Sequence, residues 1–159
     1  SKQVKPMIMN RRLTWDEYFM EIAFQTAMRG TCSRRVVGAV VVKDKRLKGT
    51  GYNGSPPGMP HCLEEGCEIK EGHCIRCVHA EPNALLECTP DQRQGATLYV
   101  TDYPCPECQK LIIASGIVEV VYARQYDAYI DWFCKMDKKI IVRALEGFSN
   151  RPHHYVKAE

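Results

Sequence analysis

The chain has 159 residues, enough for one domain with a true core, and we read 1–159 as a single domain with an N-terminal extension (1–12) and a C-terminal tail (146–159). Apolar residues make up 45% and charged residues 26%, with a net charge of +3. This is the balance of a soluble globular domain, without the basic field of a bulk nucleic-acid binder. No apolar run approaches the roughly 20 residues that span a bilayer, and residues 1–12 lack the apolar centre of a signal peptide, so a cytoplasmic setting without membrane contact is expected.

Along the chain, Thr14-Trp15-Asp16-Glu17 has the form of a capping box, with a helix behind it ending near Gly30. Val36 to Val42 is a β-branched run of the kind buried on both faces of a sheet. Asp44-Lys45 makes a turn into a second strand, Leu47 to Tyr52, and Asn53 to Gly58 is loop because Gly and Pro break regular structure. Met59 to Val78 is polar, Cys-rich and irregular, and a loop that long in a compact domain points to a function. A helix is expected over His79 to Cys88, a strand over Ala96 to Thr101 and a helix over Pro106 to Ser115, stopped by Gly116. Strand 117–123, a helix around 129–136 and a strand at 139–145 complete the set. Alternating strands and helices make an α/β sandwich whose later part is parallel.

Nine cysteines are many for this length. The odd count and the C-x-x-C spacings favour metal binding over a disulfide framework. His79-Ala80-Glu81 and Pro104-Cys105-Pro106-Glu107-Cys108 carry the chemistry. Each segment opens a helix, whose positive end favours thiolate. His79, Cys105 and Cys108 are three zinc ligands, which leaves a fourth position open, as in catalytic rather than structural zinc. Zinc so held makes hydroxide available at neutral pH, and Glu81, beside the metal but not bound to it, moves protons. H-x-E with P-C-x-x-C is the signature of zinc nucleobase deaminases. A closed zinc site, filled by a further Cys, is the weaker alternative.

At these residues the chain resembles the cytidine deaminase superfamily. Gly51-Tyr52-Asn53-Gly54-Ser55-Pro56, Cys32 ahead of the valine run, and His79 to Leu85 resemble its deoxycytidylate (dCMP) deaminase branch. The similarity runs from about Trp15 to Tyr126, and Pro82 departs from the usual Leu, Met or Gln. The resemblance implies a three-layer α/β/α sandwich with a five-stranded mixed sheet and hydrolysis of dCMP to dUMP for thymidylate supply. It implies a homo-oligomer, a hexamer favoured, activated by dCTP (with magnesium as a companion ion) and inhibited by dTTP. Asn53, Ala80 and Tyr126 match substrate-contacting positions, and Gly51, Tyr52, Gly54 and Ser55 are candidates to cradle an effector triphosphate. For the substrate phosphate, Arg34, Arg35, Lys43 and Arg124 are candidates because an arginine fork suits phosphate. Some family members from phages carry a second, structural zinc. The ligands assigned here are Cys32, Cys62, Cys67 and His73, with Cys74 as substitute, on the ground that a long irregular loop gains order from metal. Cys77, Cys88 and Cys134 are assigned to the core or left as incidental thiols. Competing readings are a tRNA adenosine or free-cytidine deaminase, and a zinc-stabilised binding module without catalysis. Arg151 to Tyr155 matches nothing.

Overall fold

The structure is a computed structural model that describes residues 10–127, 130–136 and 140–154. It begins with α1, Trp15–Ala27, whose N-cap Thr14 and Glu17 form the expected reciprocal capping box. Next come β1 (Gly38–Lys43) and β2 (Arg46–Tyr52), an antiparallel hairpin in which Asp44 and Lys45 take positive φ of 52° and 58°. Between β2 and the next long helix lie a short helix, α2 (Cys62–Glu65), and a two-stranded hairpin, β3 (Ile69–Lys70) and β4 (His73–Cys74). The chain continues through α3 (Ala80–Glu87), α4 (Pro90–Arg93), β5 (Thr97–Asp102), α5 (Pro106–Ala114) and β6 (Glu119–Arg124). A 3₁₀ turn at Phe133–Lys135 precedes β7, Ile141–Ala144.

The main sheet has five strands in the order β2-β1-β5-β6-β7. β1 pairs antiparallel with β2 and β5, whereas β5, β6 and β7 run parallel, so the sheet is mixed and its later part parallel, as the alternation of elements implied. One face packs Phe19, Met20, Ala23 and Phe24 of α1 against Val40, Val42, Tyr99 and Val121. The other packs Ala80, Ala84 and Leu85 of α3 and Ile112 of α5 against Ala39, Val41, Leu98, Val100 and Val120. With helices on both faces the sandwich has three layers, and the valines of β1 are buried on both sides.

Glycines set how closely the helices lie. A Cβ at Gly38 would fall 1.9 Å from the Ala23 carbonyl oxygen of α1, and one at Gly51 would fall 2.2 Å from the Ala80 oxygen and 2.3 Å from the Ala84 nitrogen of α3. Both distances are far below van der Waals contact, so only a residue without Cβ lets each helix rest on the sheet.

Several expected boundaries differ. The β1 ladder starts at Gly38, not Val36. The Val36 N–H donates to the His153 carbonyl at 2.8 Å and the Val37 N–H to Asn53 Oδ1 at 2.8 Å, so tertiary partners replace ladder partners there. Of the helix expected over 129–136, the described residues hold only the 3₁₀ turn, whose Phe133 N–H is taken by the Asp131 side chain. Helix α4 was not expected, although its capping box, Thr89 with Gln92, is plain in the sequence. Gly51→Ala should therefore cost about 3 kcal/mol of stability through overpacking. Urea denaturation checks this, and an unchanged midpoint would show that α3 does not rest on β2 as described.

Candidate active site

His79 is the N-cap of α3 and Cys105 the N-cap of α5, and neither side chain makes a capping hydrogen bond. Both are left free to turn toward the gap between the helix starts, and Cys108 joins them from the first turn of α5. His79 Nδ1 lies 3.3 Å from Cys108 Sγ and 3.5 Å from Cys105 Sγ, and the three donor atoms fall within 4.8 Å of one another. Tetrahedral zinc with bonds of about 2.0–2.3 Å places its ligands roughly 3.5–3.8 Å apart, so the set fits that ion. The two helix starts thus converge on one point, as the sequence implied.

The proton distribution in this cluster suits a cation. A hydrogen bond from Cys108 and the neighbouring imidazole pull the Cys105 thiol down to about 4, while Cys108 itself is pushed up. The contact with Cys105 raises His79 to about 9. Protons shared in this way are those that a metal displaces on binding. Glu81 stands two residues into α3, 4% exposed, and burial lifts its carboxyl to about 7. It lies beside Cys108 rather than in the donor triad.

These residues open into a cavity of ≈ 800 Å³. Its wall also includes Arg34, Arg35, Asn53, Ala80, Asp102 and Tyr126, so most of the expected substrate residues do meet there. Asn53 is held by the backbone: Oδ1 accepts from the Val37 N–H, and Nδ2 donates to the Arg35 carbonyl at 2.6 Å. The carboxamide therefore locks the segment before β1 to the end of β2.

Arg124 is placed elsewhere. It is 3% exposed, does not line the cavity and forms an ion pair of 2.7 Å with Asp102 Oδ2. Its remaining Nη donors go to the carbonyls of Arg151, Pro152 and Val36. The expected phosphate contact at Arg124 does not fit this arrangement, because both Nη atoms are spent inside the protein. Lys43 donates to the Asp91 carbonyl at 2.7 Å, and it too is absent from the cavity wall. Gly51 is committed to α3 packing, and Tyr52 lies at the end of β2 with its carbonyl accepting from Asn83 Nδ2. Gly54 pairs with Val78 in a two-bond bridge, which ties the Gly51–Pro56 stretch to the segment entering His79, and Ser55 is buried beside it.

The second cysteine cluster centres on Cys62, whose Sγ lies 3.3 Å from Cys77 and 3.5 Å from Cys74. Two donor groups share it, Cys32-Cys62-Cys77 and Cys62-Cys67-Cys74. Cys32, Cys62, Cys67 and Cys74 are thus brought together, but His73 is in neither group, being exposed on the β3–β4 hairpin. Cys77, read from the sequence as incidental, is in the cluster. The signal was present as Cys74-Ile75-Arg76-Cys77, a C-x-x-C two residues before His79. Asp102 and Tyr103 also line the cavity and were not anticipated. Among the described residues no helix is long and apolar enough to cross a membrane.

A three-layer sandwich with one imidazole, two thiols and a buried carboxylate at two helix starts defines a zinc deaminase fold. Residues 13–124 match the cytidine and deoxycytidylate deaminase zinc-binding region, and the chain belongs to that family. It is 49% identical over 125 residues to the deoxycytidylate deaminase of Mycobacterium phage D29, covering 72% of this chain and 98% of the phage protein. It is 47% identical over 120 residues to the ComE operon protein 2 of Bacillus subtilis (strain 168), covering 74% of this chain and 64% of that protein. A crystal structure of dCMP deaminase from cyanophage S-TIM5 in complex with dCMP and dUMP aligns with a TM-score of 0.62 at 32% identity. That alignment covers 73% of this chain and 85% of the phage chain.

Removing Arg124 leaves the Asp102 carboxylate buried without its nearest counter-charge. Arg124→Ala should cost about 3–5 kcal/mol. Chemical denaturation measures it, and a loss below about 1 kcal/mol, the range of an exposed pair, would refute the buried ion pair.

Proposed function

We propose that this protein hydrolyses dCMP to dUMP and ammonia at the His79–Cys105–Cys108 centre. The observation that carries the reading is the buried carboxyl of Glu81 beside one imidazole and two thiols, in a cavity lined also by Arg34 and Arg35. The complex of the S-TIM5 enzyme with dCMP and dUMP supports the substrate. His79, Cys105 and Cys108 would hold zinc, which when bound would acidify a water and supply a nucleophilic hydroxide. Glu81 takes one proton from the attacking water and delivers it to the ring nitrogen of the cytosine. It then takes the second from the hydroxyl now on the carbon and gives it to the departing amine, which leaves as ammonia while the carbonyl of uracil forms. Burial, which holds its carboxyl near neutrality, suits it to both directions of transfer. Arg34 and Arg35 offer forked donors for the 5′-phosphate.

Neither the charge balance nor the cavity favours a nucleic-acid substrate, and a binding module has no use for Glu81. Ammonia release with dCMP, CMP, deoxycytidine and a tRNA anticodon stem-loop separates the readings. No turnover of dCMP by zinc-loaded protein in the presence of dCTP would sink this one. Glu81→Gln should keep its zinc while kcat falls by roughly 10²–10⁴. Retained activity would remove Glu81 from the proton path.

The Cys62 cluster we assign to a structural zinc drawn from Cys32, Cys62, Cys67, Cys74 and Cys77. Support comes from the thiol geometry and from the sparse regular structure of residues 59–78, which a metal would brace. Metal analysis should then find about two zinc per chain. Cys62→Ser should lower this to about one, and His73→Ala should leave it unchanged. A wild-type value near one would reject the second site.

Control by dCTP and dTTP, assembly as a hexamer, and supply of thymidylate precursor are carried by the family resemblance. Because Gly51 is committed to packing, contacts to an effector would fall to Gly54, in the bridge with Val78, and to Ser55 next to it.

A further inference from the structure

Asp102, the last residue of β5, is 4% exposed yet lines the cavity. Its Oδ2 is fully engaged, accepting from Arg124 Nη2 at 2.7 Å and from Thr101 Oγ1 at 3.1 Å. Its Oδ1 is buried and accepts no hydrogen bond among the described residues. Two side chains face that free oxygen: the Arg35 guanidinium, with Nη1 at 3.8 Å, and the His153 imidazole, with Nδ1 at 3.6 Å, which burial and the nearby Arg124 and Arg35 hold toward its neutral form. Both lie within ion-pair range, and both are too far for a hydrogen bond.

The surroundings decide which of the two matters to the cavity. Arg35 lines it, with its side chain 38% exposed; His153 does not line it. The backbone of Arg35 is clamped where it runs into Val36. Its carbonyl accepts from Asn53 Nδ2, and Val36 is held through its N–H by the His153 carbonyl and through its carbonyl by Arg124. With the backbone fixed, only the aim of the guanidinium is open. Among the described residues, the one carboxylate oxygen within ion-pair range of it is the spare oxygen of the buried Asp102–Arg124 pair.

We propose that Asp102 is a positioning residue that aims Arg35 at the phosphate of a nucleotide in the cavity. This rests on the reading of the substrate as a nucleoside monophosphate. Asp102 does not touch the substrate: Oδ1 has almost no solvent-accessible surface, and its charge acts through the inner edge of the guanidinium. The outer edge remains for the phosphate, and the gap to Oδ1 lets Arg35 move outward onto the anion without losing its anchor.

Steady-state kinetics with dCMP, and competitive inhibition by dUMP and by deoxyuridine, test the proposal. Asp102→Asn should raise KM for dCMP and Ki for dUMP roughly tenfold, the loss expected when one charge-assisted contact is misaligned. Its kcat should stay within about twofold of wild type, and Ki for deoxyuridine, which lacks the phosphate, should not move. Arg35→Gln should reproduce this split, and the double variant should be no worse than either single one. If Asp102→Asn fails to fold because Arg124 is left buried and unpaired, Asp102→Asn combined with Arg124→Gln removes both charges and should show the same split. An equal rise in Ki for dUMP and deoxyuridine, an unchanged KM, or additive effects in the double variant would overturn the proposal. Absence of dCMP turnover in the wild type would instead overturn the functional reading beneath it.

Discussion

The distance between α3 and the sheet governs the rest of this molecule. α3 touches β2 through backbone atoms, with Ala80 and Ala84 seated over Gly51. That contact sets the depth of His79, one residue before the helix, and of Glu81, one residue after Ala80. The opposing ligands come from α5, which begins four residues after β5 ends and packs on the same face. Two helices referenced to one sheet therefore hold three donor atoms within 4.8 Å. A side chain at position 51 would lift one helix and not the other, and the cluster would open.

The charge arrangement around the cavity follows a similar logic of fixed and free ends. Arg124 and Asp102 neutralise each other within the protein, and Arg124 spends its other Nη donors on backbone carbonyls. Arg34 and Arg35 stand toward solvent, where a guanidinium remains available to an anion. Burial separates arginines that look equivalent in sequence: one braces a wall, the others face what the wall encloses. The thiol cluster touches the same space, since Cys32, Cys74 and Cys77 line the cavity together with His79. Order in the 59–78 segment and the shape of the cavity are thus one matter.

Much of this was legible in the chain. The capping box at Thr14, the β-branched run of β1 and the two helix-opening motifs are local signals, written in neighbouring residues. The donors His79, Cys105 and Cys108 were legible because their spacing relative to helix starts is itself local. What could not be read depends on contacts between distant residues. Arg124 resembles a phosphate ligand until Asp102 and the 151–152 carbonyls are seen around it. The start of β1 shifted because residue 153 occupies the amide of Val36. Cys77 falls within the thiol groups and His73 outside them because the β3–β4 hairpin carries His73 to the cavity wall and away from Cys62, a choice that composition does not record. Helix α4 is different: its signal, Thr89 with Gln92, is local.

The bonds that close this fold join residues very far apart along the chain. Arg143 reaches Asp16 across 127 residues, and Arg151 reaches Glu21 across 130. Pairings of such span form late, after the entropy of closing a long loop has been met. The Arg151–His153 strap reinforces Arg124 and Val36, which flank the cavity wall. A chain in the course of folding would therefore possess its helices and thiols before it possesses a finished pocket. During that interval Cys32, Cys62, Cys88 and Cys108, buried in the finished fold, are open to stray metal and oxidant, and the time the fold takes to close sets how long that exposure lasts.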